Sequence, residues 1–459
     1  MDLSRRTGQT ICAVSTPPGY GGLSVVRVSG PRSVEIVRQI APFLPEQLES
    51  HRVYYGILRS NIGEIDEVLI TFFKQGRSFT GEDVLEISCH GNPNICRAII
   101  DSLVSSGAST ALPGEFTLRA FMNGRLDLTR AEAVLDLIQG QSERSRKLAL
   151  RQLQGHISEV IEEIESNITL ALAHLEANID FSTEGVEPVS SADLSRKIEQ
   201  ILVALDRILQ NYSQGRLIKD GIRVVVVGPP NAGKSSLVNL LVQEERSIVT
   251  PIPGTTRDTI EGETAFRGQK FIFVDTAGIR DTVDPVEAIG VARARAAMAN
   301  ADLVLGVFDL SKPERHEEFL SSLVQISTPI LYLGNKLDLC DPDRIEKFPL
   351  PVMNRDSEKI FISALDPESR PRILEKIMDF FHIDQVEDSA VISNSRHYEC
   401  LSMARECLMR SKELLDGSAS PELPALELKE ALLFIQQVLG KRFDDDILDR
   451  VFKEFCIGK

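Results

Sequence analysis

Gly228-Pro229-Pro230-Asn231-Ala232-Gly233-Lys234-Ser235 decides the fold of the middle of this chain. The stretch fits G-x-x-x-x-G-K-[ST] in the required setting: the apolar run Val224 to Val227 precedes it, and Leu237, Leu240 and Leu241 give the following helix a buried face. Glycines in such a loop let backbone N–H groups close around phosphate oxygens at a helix N-terminus. Lys234 supplies positive charge to the β and γ phosphates, and the Ser235 hydroxyl is a ligand for Mg²⁺. The surroundings agree. Arg223 to Val227, Lys270 to Val274, Leu303 to Phe308 and Ile330 to Leu333 are short apolar runs, each followed by a loop and a helical segment, which predicts a mostly parallel α/β sheet ending near Phe381.

Three further motifs narrow the ligand. Asp275-Thr276-Ala277-Gly278 follows the second run and places a carboxylate for the metal's outer shell and a glycine N–H for a γ-phosphate. In Asn335-Lys336-Leu337-Asp338, Asp338 is placed to accept both N–H groups of guanine, a donor pair that adenine lacks, and Ser363-Ala364-Leu365 offers a backbone N–H to the guanine oxygen. The order and setting of these motifs resemble the Ras-like GTPases of the translation-factor type. The nucleotide is then expected to touch Asn231, Ala232, Gly233, Lys234, Ser235 and Ser236 in the loop. Thr250-Pro251-Ile252-Pro253-Gly254-Thr255-Thr256 sits where the first switch belongs, with Thr256 as second Mg²⁺ ligand and an order set by the γ-phosphate. Position 279 is Ile and not the water-orienting Gln of Ras, so hydrolysis needs another device. Asn231, with carbonyls of the switch loop, is placed to hold a monovalent cation where an arginine finger would put charge. Glu287 reads from position alone as a solvated carboxylate at a helix start or as a group that orients water.

Outside this unit the pattern changes. Strand-like runs at Ile11 to Thr16, Leu23 to Ser29, Val53 to Leu58, Ile65 to Phe73 and Val84 to Ser88, with helices after Pro31 and from Pro93 to Gly107, read as a mixed α+β unit. At Thr129 a capping box with Glu132 predicts a helix start. Leu153, Ile157, Val160, Ile161, Ile164, Ile168, Leu172 and Leu175 then predict one long amphipathic helix. Helices return at Arg396 to Leu415, Leu426 to Leu439 and Asp444 to Phe455. The expected layout is an N-terminal α+β domain over 1–120, a helical domain in two parts over 121–217 and 383–459, and an inserted Ras-like P-loop α/β domain over 218–382.

Composition bounds the function. With 459 residues, 42% hydrophobic and 26% charged, the chain suits several packed domains and not a disordered, collagenous or disulfide-built protein. No run approaches the roughly eighteen apolar residues of a membrane span. Seven scattered cysteines, with no C-x-x-C, read as thiols in a reducing compartment, and a cytoplasmic location is expected. Lys plus Arg less Asp plus Glu is 51 − 67 = −16, so a nucleic-acid partner must be met by a local basic patch or a second protein.

Taken nearly end to end, the chain resembles the MnmE (TrmE) family of bacterial and organellar tRNA-modification GTPases. The resemblance is carried by Thr16-Pro17-Pro18-Gly19, Gly21-Gly22 and Arg27-Val28-Ser29-Gly30, by Phe79-Thr80-Gly81-Glu82-Asp83-Val84-Leu85-Glu86 and by Pro113-Gly114-Glu115-Phe116-Thr117. Leu126-Asp127-Leu128, Gly254-Thr255-Thr256-Arg257-Asp258 and Phe455-Cys456-Ile457-Gly458-Lys459 complete it. It implies an N-terminal domain that binds a tetrahydrofolate derivative, 5-formyl or 5,10-methylene, and forms a homodimer. It implies a flavoprotein partner, MnmG, which carries FAD, in a heterotetramer that builds an aminomethyl or carboxymethylaminomethyl group on C5 of the wobble uridine of certain tRNAs. It implies G domains that pair when GTP and K⁺ are bound, with Asn231, Thr250, Ile252 and Thr255 around K⁺, Ser235 and Thr256 on Mg²⁺, and Glu287 as the catalytic water-orienting glutamate beside Asn231 and Lys234. For folate it points to Arg27, Glu86, Arg125 and Lys459: Glu86 accepts from the donor-rich pterin edge, and the three cations meet carboxylates or ring acceptors. Cys456 reads as a thiol nucleophile or a small buried residue, the buried reading being preferred.

Two positions depart from the family pattern. His90-Gly91-Asn92 replaces His-Gly-Gly, which bears on a loop that needs glycine's freedom, and Arg125 replaces Lys, which keeps charge but changes reach. Rival readings are a GTPase switch in ribosome assembly, which needs an RNA-binding module where only helices are read after Phe381, a folate-dependent one-carbon transferase with regulatory GTP, and a structural dimeric G protein.

Overall fold

The computed structural model describes residues 8–180, 189–242, 261–275, 296–312, 328–340, 358–386, 390–443 and 445–459. The chain divides into two compact units. The first takes in Met1–Gln139, Ala149–Arg207 and Arg396–Lys459, and the second Gly140–Leu148 and Ile208–Ser395.

The first unit opens with β1 (Ile11–Val14), β2 (Gly21–Ser29), α1 (Ser33–Ile40), β3 (Arg52–Ser60), β4 (Gly63–Phe73), β5 (Val84–Gly91), α2 (Pro93–Ser105) and β6 (Ser109–Thr110). The strands form one sheet in the order β3-β4-β5-β2-β1-β6, antiparallel except for β1 beside β6. Side chains alternate across a strand, so Val26, Val28, Ile70, Leu85 and Ile87 pack with Ile36 and Val37 of α1 and Ile99 and Leu103 of α2. The same alternation sends Arg27 and Glu86, directly opposed across β2 and β5, to the other face.

Next come α3 (Glu115–Met122), α4 (Leu128–Gln139), α5 (Glu143–Gln154), α6 (His156–Asp180) and α7 (Ser191–Gln210). Two expectations fail here. Thr129 and Glu132 form no capping box: Asp127 caps α4 by accepting from the Arg130 N–H at 2.9 Å, and the Thr129 hydroxyl bonds Asp127 and Ser158. The stripe from Leu153 is not one helix either. Gly155, at φ 98°, separates α5 from α6, and a Cβ there would lie 1.9 Å from the Arg130 guanidinium. At that φ a residue with a side chain would be strained, and glycine is not.

The second unit contains α8 (Tyr212–Asp220), β7 (Ile222–Val227), α9 (Lys234–Val242), β8 (Glu261–Phe266), β9 (Gln269–Asp275), β10 (Leu303–Asp309), β11 (Ile330–Asn335), β12 (Glu358–Phe361) and α10 (Ser369–Phe380). Its sheet runs β12-β11-β10-β7-β9-β8, parallel throughout except β8 against β9. Both faces of β7 are covered: Val224 and Val226 pack with Leu237, Phe271 and Phe273, and Val225 and Val227 with Val274, Val304 and Phe308. With β9 on one side of β7 and β10 on the other, the strand order reverses at β7, and the phosphate loop begins at its carboxyl end, the position at which open α/β sheets receive ligands. Residues 140–148 belong to this unit because Arg144 grips it: its N–H donates to Gly268 O at 3.0 Å, and its guanidinium to Arg267 O at 3.2 Å and Ile383 O at 3.3 Å.

The chain then returns to the first unit with α11 (Ser395–Asp416), α12 (Glu422–Leu439) and α13 (Asp445–Lys453). Helical segments distant in sequence share one core: α12 packs along α6, and Leu448, Phe452 and Phe455 join Leu118, Phe121, Leu128 and Leu135. Glu132 ties them together. Its carboxylate receives Arg396 Nε at 2.8 Å, Arg396 Nη2 at 3.0 Å and His397 Nε2 at 2.5 Å, while Arg396 also donates to the Gln437 and Val438 carbonyls. Burial by itself raises the Glu132 carboxyl, but His397 and Arg396 outweigh it and bring it down from 4.5 to about 2. Among the described residues no helix is long and apolar enough to cross a membrane.

Candidate functional site

β7 delivers the chain into the phosphate loop, where Asn231 takes φ 64° and Gly233 φ 92°. Lys234, only 8% exposed, folds back so that Nζ donates to the carbonyls of Gly228 and Pro229, each at 3.0 Å. The ammonium is thereby held at the mouth of the loop, at the start of α9. Ser235 Oγ donates to Asp275 Oδ2 at 3.1 Å, bringing a hydroxyl and a carboxylate together. Hard oxygen donors of this kind fit Mg²⁺. Ser236 is exposed on the first turn of α9.

A second set of residues braces the loop from β11. Asn335 Nδ2 donates to Ala232 O at 2.8 Å, and its Oδ1 accepts from the N–H groups of Lys336 at 2.8 Å and Ala364 at 2.9 Å. Of the Ser363-Ala364-Leu365 stretch expected to offer a backbone N–H to guanine, the Ala364 N–H is thus engaged by Asn335 here. Lys336 Nζ donates to Asn231 O at 2.9 Å and to Asp309 Oδ2 at 2.7 Å. Exposed Asp338 accepts from Ser363 Oγ at 2.6 Å, and the Leu365 N–H donates to Ser363 Oγ at 3.3 Å. Thr250, Pro251, Ile252, Pro253, Gly254, Thr255, Thr256, Thr276, Ala277, Gly278 and Glu287 lie outside the described residues. Of the residues expected around K⁺, only Asn231 is therefore placed, and of the Mg²⁺ pair only Ser235.

The first unit gathers the other candidates. Arg27 donates through Nε at 2.9 Å and Nη2 at 2.8 Å to the same oxygen, Glu86 Oε1. The Arg27 guanidinium lies 5.6 Å from the ring centroids of both Phe79 and Phe116. Lys459 O accepts from the Phe116 N–H at 3.2 Å, and Gly458 O from Ser15 Oγ at 3.1 Å, so the 455–459 stretch meets the Arg27 cluster. Arg125 is exposed and donates to Gly76 O at 3.3 Å, beside the loop that carries Phe79. Phe79 and Phe116, not expected at this site, join it through their rings, and Arg119 fixes Phe116 by bonding Glu115 at 3.1 Å and Glu82 at 3.0 Å. The signal was in the sequence, since Phe116 follows Glu115 directly and Phe79 stands three residues before Glu82, the two acids that Arg119 bonds. Cys456 is exposed, contrary to the preferred reading, because Phe455 and Gly458 take the buried places of that stretch. Asn92 needs no glycine freedom: at φ −124° it caps α2, its side chain accepting from the Asn94 N–H at 2.9 Å.

Comparison with known proteins agrees across these parts. The family model for the GTP-binding protein TrmE N-terminus matches residues 10–125, and that for the MnmE helical domain matches residues 128–456. The tRNA modification GTPase MnmE of Bdellovibrio bacteriovorus is 50% identical over 473 residues, covering 99% of this chain and 98% of its own. Those of Syntrophotalea carbinolica, 41% identical over 470 residues, and Natranaerobius thermophilus, 39% over 463, cover 98% and 99% of this chain and 99% and 100% of their own lengths. A phosphate loop braced from β11 in one unit, the Arg27 cluster in the other, and relatives alike along their whole length have one common account: the chain belongs to the MnmE family.

Proposed function

We propose that this chain is a GTP hydrolase acting in tRNA modification, dependent on K⁺ and activated when two G domains pair. The observation that carries the proposal is the bracing of the phosphate loop by Asn335 and Lys336 beside the Ser235 and Asp275 pair. Lys234 supplies charge to the β and γ phosphates, and Asp338, oriented by Ser363, accepts from guanine. Ser235 and Thr256 hold Mg²⁺, with the Asp275 carboxylate in its outer shell, and the ion when bound neutralises charge on the β and γ oxygens. Asn231 contributes to a K⁺ site with Thr250, Ile252 and Thr255, and Glu287 orients the attacking water.

Arg27, Glu86, Arg125 and Lys459 bind a one-carbon tetrahydrofolate derivative in the same reading, and a flavoprotein partner of the MnmG kind brings FAD to the tRNA chemistry in the cytoplasm. Family membership supports these parts, together with the meeting of Arg27, Glu86, Phe116 and Lys459. A homodimer is supported by Val53, Tyr55 and Leu69, exposed side by side on one face of β3 and β4.

The test is phosphate release by the full chain with GTP or ATP, in K⁺ or Na⁺, beside equilibrium binding of 5-formyltetrahydrofolate with and without Cys456 to Lys459. Release from GTP alone, faster in K⁺, and folate binding lost on truncation are expected. Equal rates in the two cations would remove the cation mechanism, and no folate binding to the intact chain would remove the one-carbon part.

A further inference from the structure

We propose that Asp309 is a positioning residue for the nucleotide site: it sets Lys336, and through Lys336 the Asn231 carbonyl, in the geometry that receives the phosphates. This rests on reading the site as a guanine-nucleotide site. Asp309 ends β10, in register with Asn335 at the end of β11, and is buried.

Its two oxygens have separate tasks. Oδ1 accepts from the Ser311 N–H at 2.9 Å and Ser311 Oγ at 2.6 Å, which stops the carboxylate from rotating. Oδ2 accepts from Lys336 Nζ at 2.7 Å, and the same ammonium donates to Asn231 O at 2.9 Å. Lys336 and Asn231 stand at φ 66° and 64°, the left-handed region, which a residue with a side chain keeps only where its surroundings hold it. The ammonium of the first bonds the carbonyl of the second.

Direction is the reason a carboxylate is needed. A lysine ammonium is a compact charge on a flexible stem with no preferred bearing of its own, unlike a guanidinium fork. A buried carboxylate, itself clamped by Ser311, gives it one. Burial raises the Asp309 carboxyl, but the Lys336 and Ser311 hydrogen bonds prevail and hold it below the usual carboxylate range, so the group is ionised at neutral pH. Without that charge Lys336 turns to solvent and the Asn231 peptide loses its tether. Affinity then falls alike for GDP and GTP, because the tether acts on the loop shared by both.

The experiment is equilibrium binding of a fluorescent GDP to the full chain as wild type, Asp309→Asn, Lys336→Met and the double variant. Asp309→Asn keeps the shape and removes the charge, and should weaken binding about tenfold. If Asp309 acts through Lys336, the double variant binds no more weakly than Lys336→Met, within about twofold. Ser311→Ala, which leaves the ion pair and loosens only its support, should cost about threefold and serves should Asp309→Asn fold poorly. Wild-type affinity in Asp309→Asn, or losses that multiply in the double variant, would overturn the proposal. Absence of GDP binding by the wild type overturns the nucleotide reading itself, before any variant is made.

Discussion

From Asn231 to Ser235 the residues of the proposed phosphate site are neighbours in the chain, whereas Arg27 reaches Glu86 across two strands and Lys459 reaches Phe116 from the far end of the sequence. The loop is laid out locally by a buried strand before it, a helix after it and glycine at Gly233, where a Cβ would lie 2.2 Å from Asn335 Nδ2, and Asn335 and Lys336 brace it from the end of β11. The Arg27 cluster needs sheet register, the packing of α3 by Arg119 and the docking of 455–459. The loop takes its own residues from one segment and only its bracing from β10 and β11, while the Arg27 cluster takes its very members from elements far apart in the chain.

Four substitutions would break or sharpen that contrast. The largest effect is expected at Glu132, whose loss leaves Arg396 and His397 buried without their carboxylate: Glu132→Ala should cost about 3–5 kcal/mol in urea unfolding of the first unit. GDP affinity, a property of the second unit, should stay near wild type; an equal loss there would blur the distinction. The Glu132 carboxyl binds its proton less readily folded than unfolded, so its stabilisation is full above pH 4.5 and is lost as pH falls toward about 2. Acid unfolding of the wild type should steepen in that window, and the variant's should not.

Lys234→Ala removes a charged donor and should weaken fluorescent GTP binding by about a hundredfold or more, with folate binding unchanged. Gly458→Ala comes next. At φ 94°, with a Cβ 2.2 Å from Val14 O, it should undock the 455–459 stretch at about 1–3 kcal/mol and reduce 5-formyltetrahydrofolate binding about tenfold, while phosphate release from GTP continues. The smallest effect is Arg27→Lys, which keeps charge but loses the two-donor grip on Glu86 and the stacking between Phe79 and Phe116. Severalfold weaker folate binding by calorimetry is expected, and unchanged binding would mean that Arg27 acts by charge alone.

The parallel sheet was legible because strands buried on both faces are continuous apolar runs, as in Val224 to Val227. β8 was not, since Glu261-Gly262-Glu263-Thr264 is an edge strand without such a run. The Thr129 and Glu132 spacing matched a capping box, yet a carboxylate three residues into a helix goes where the stronger partners are, and Arg396 and His397 are supplied by a segment more than 250 residues away. Gly155 interrupts an apolar stripe whose period continues on both sides, so the break shows only in the backbone turn and in what packs against it.

What this sequence determined by itself is the phosphate loop, the order of the nucleotide motifs around it and the alternation of elements in the second unit, because these rest on local backbone geometry and on which faces are apolar. Tertiary structure alone decided that Arg27 faces Glu86, that Gly458 docks against Val14 and that Glu132 joins helices far apart in the chain. Register, docking and buried charge pairing depend on which surfaces meet, and no spacing within a single segment records that.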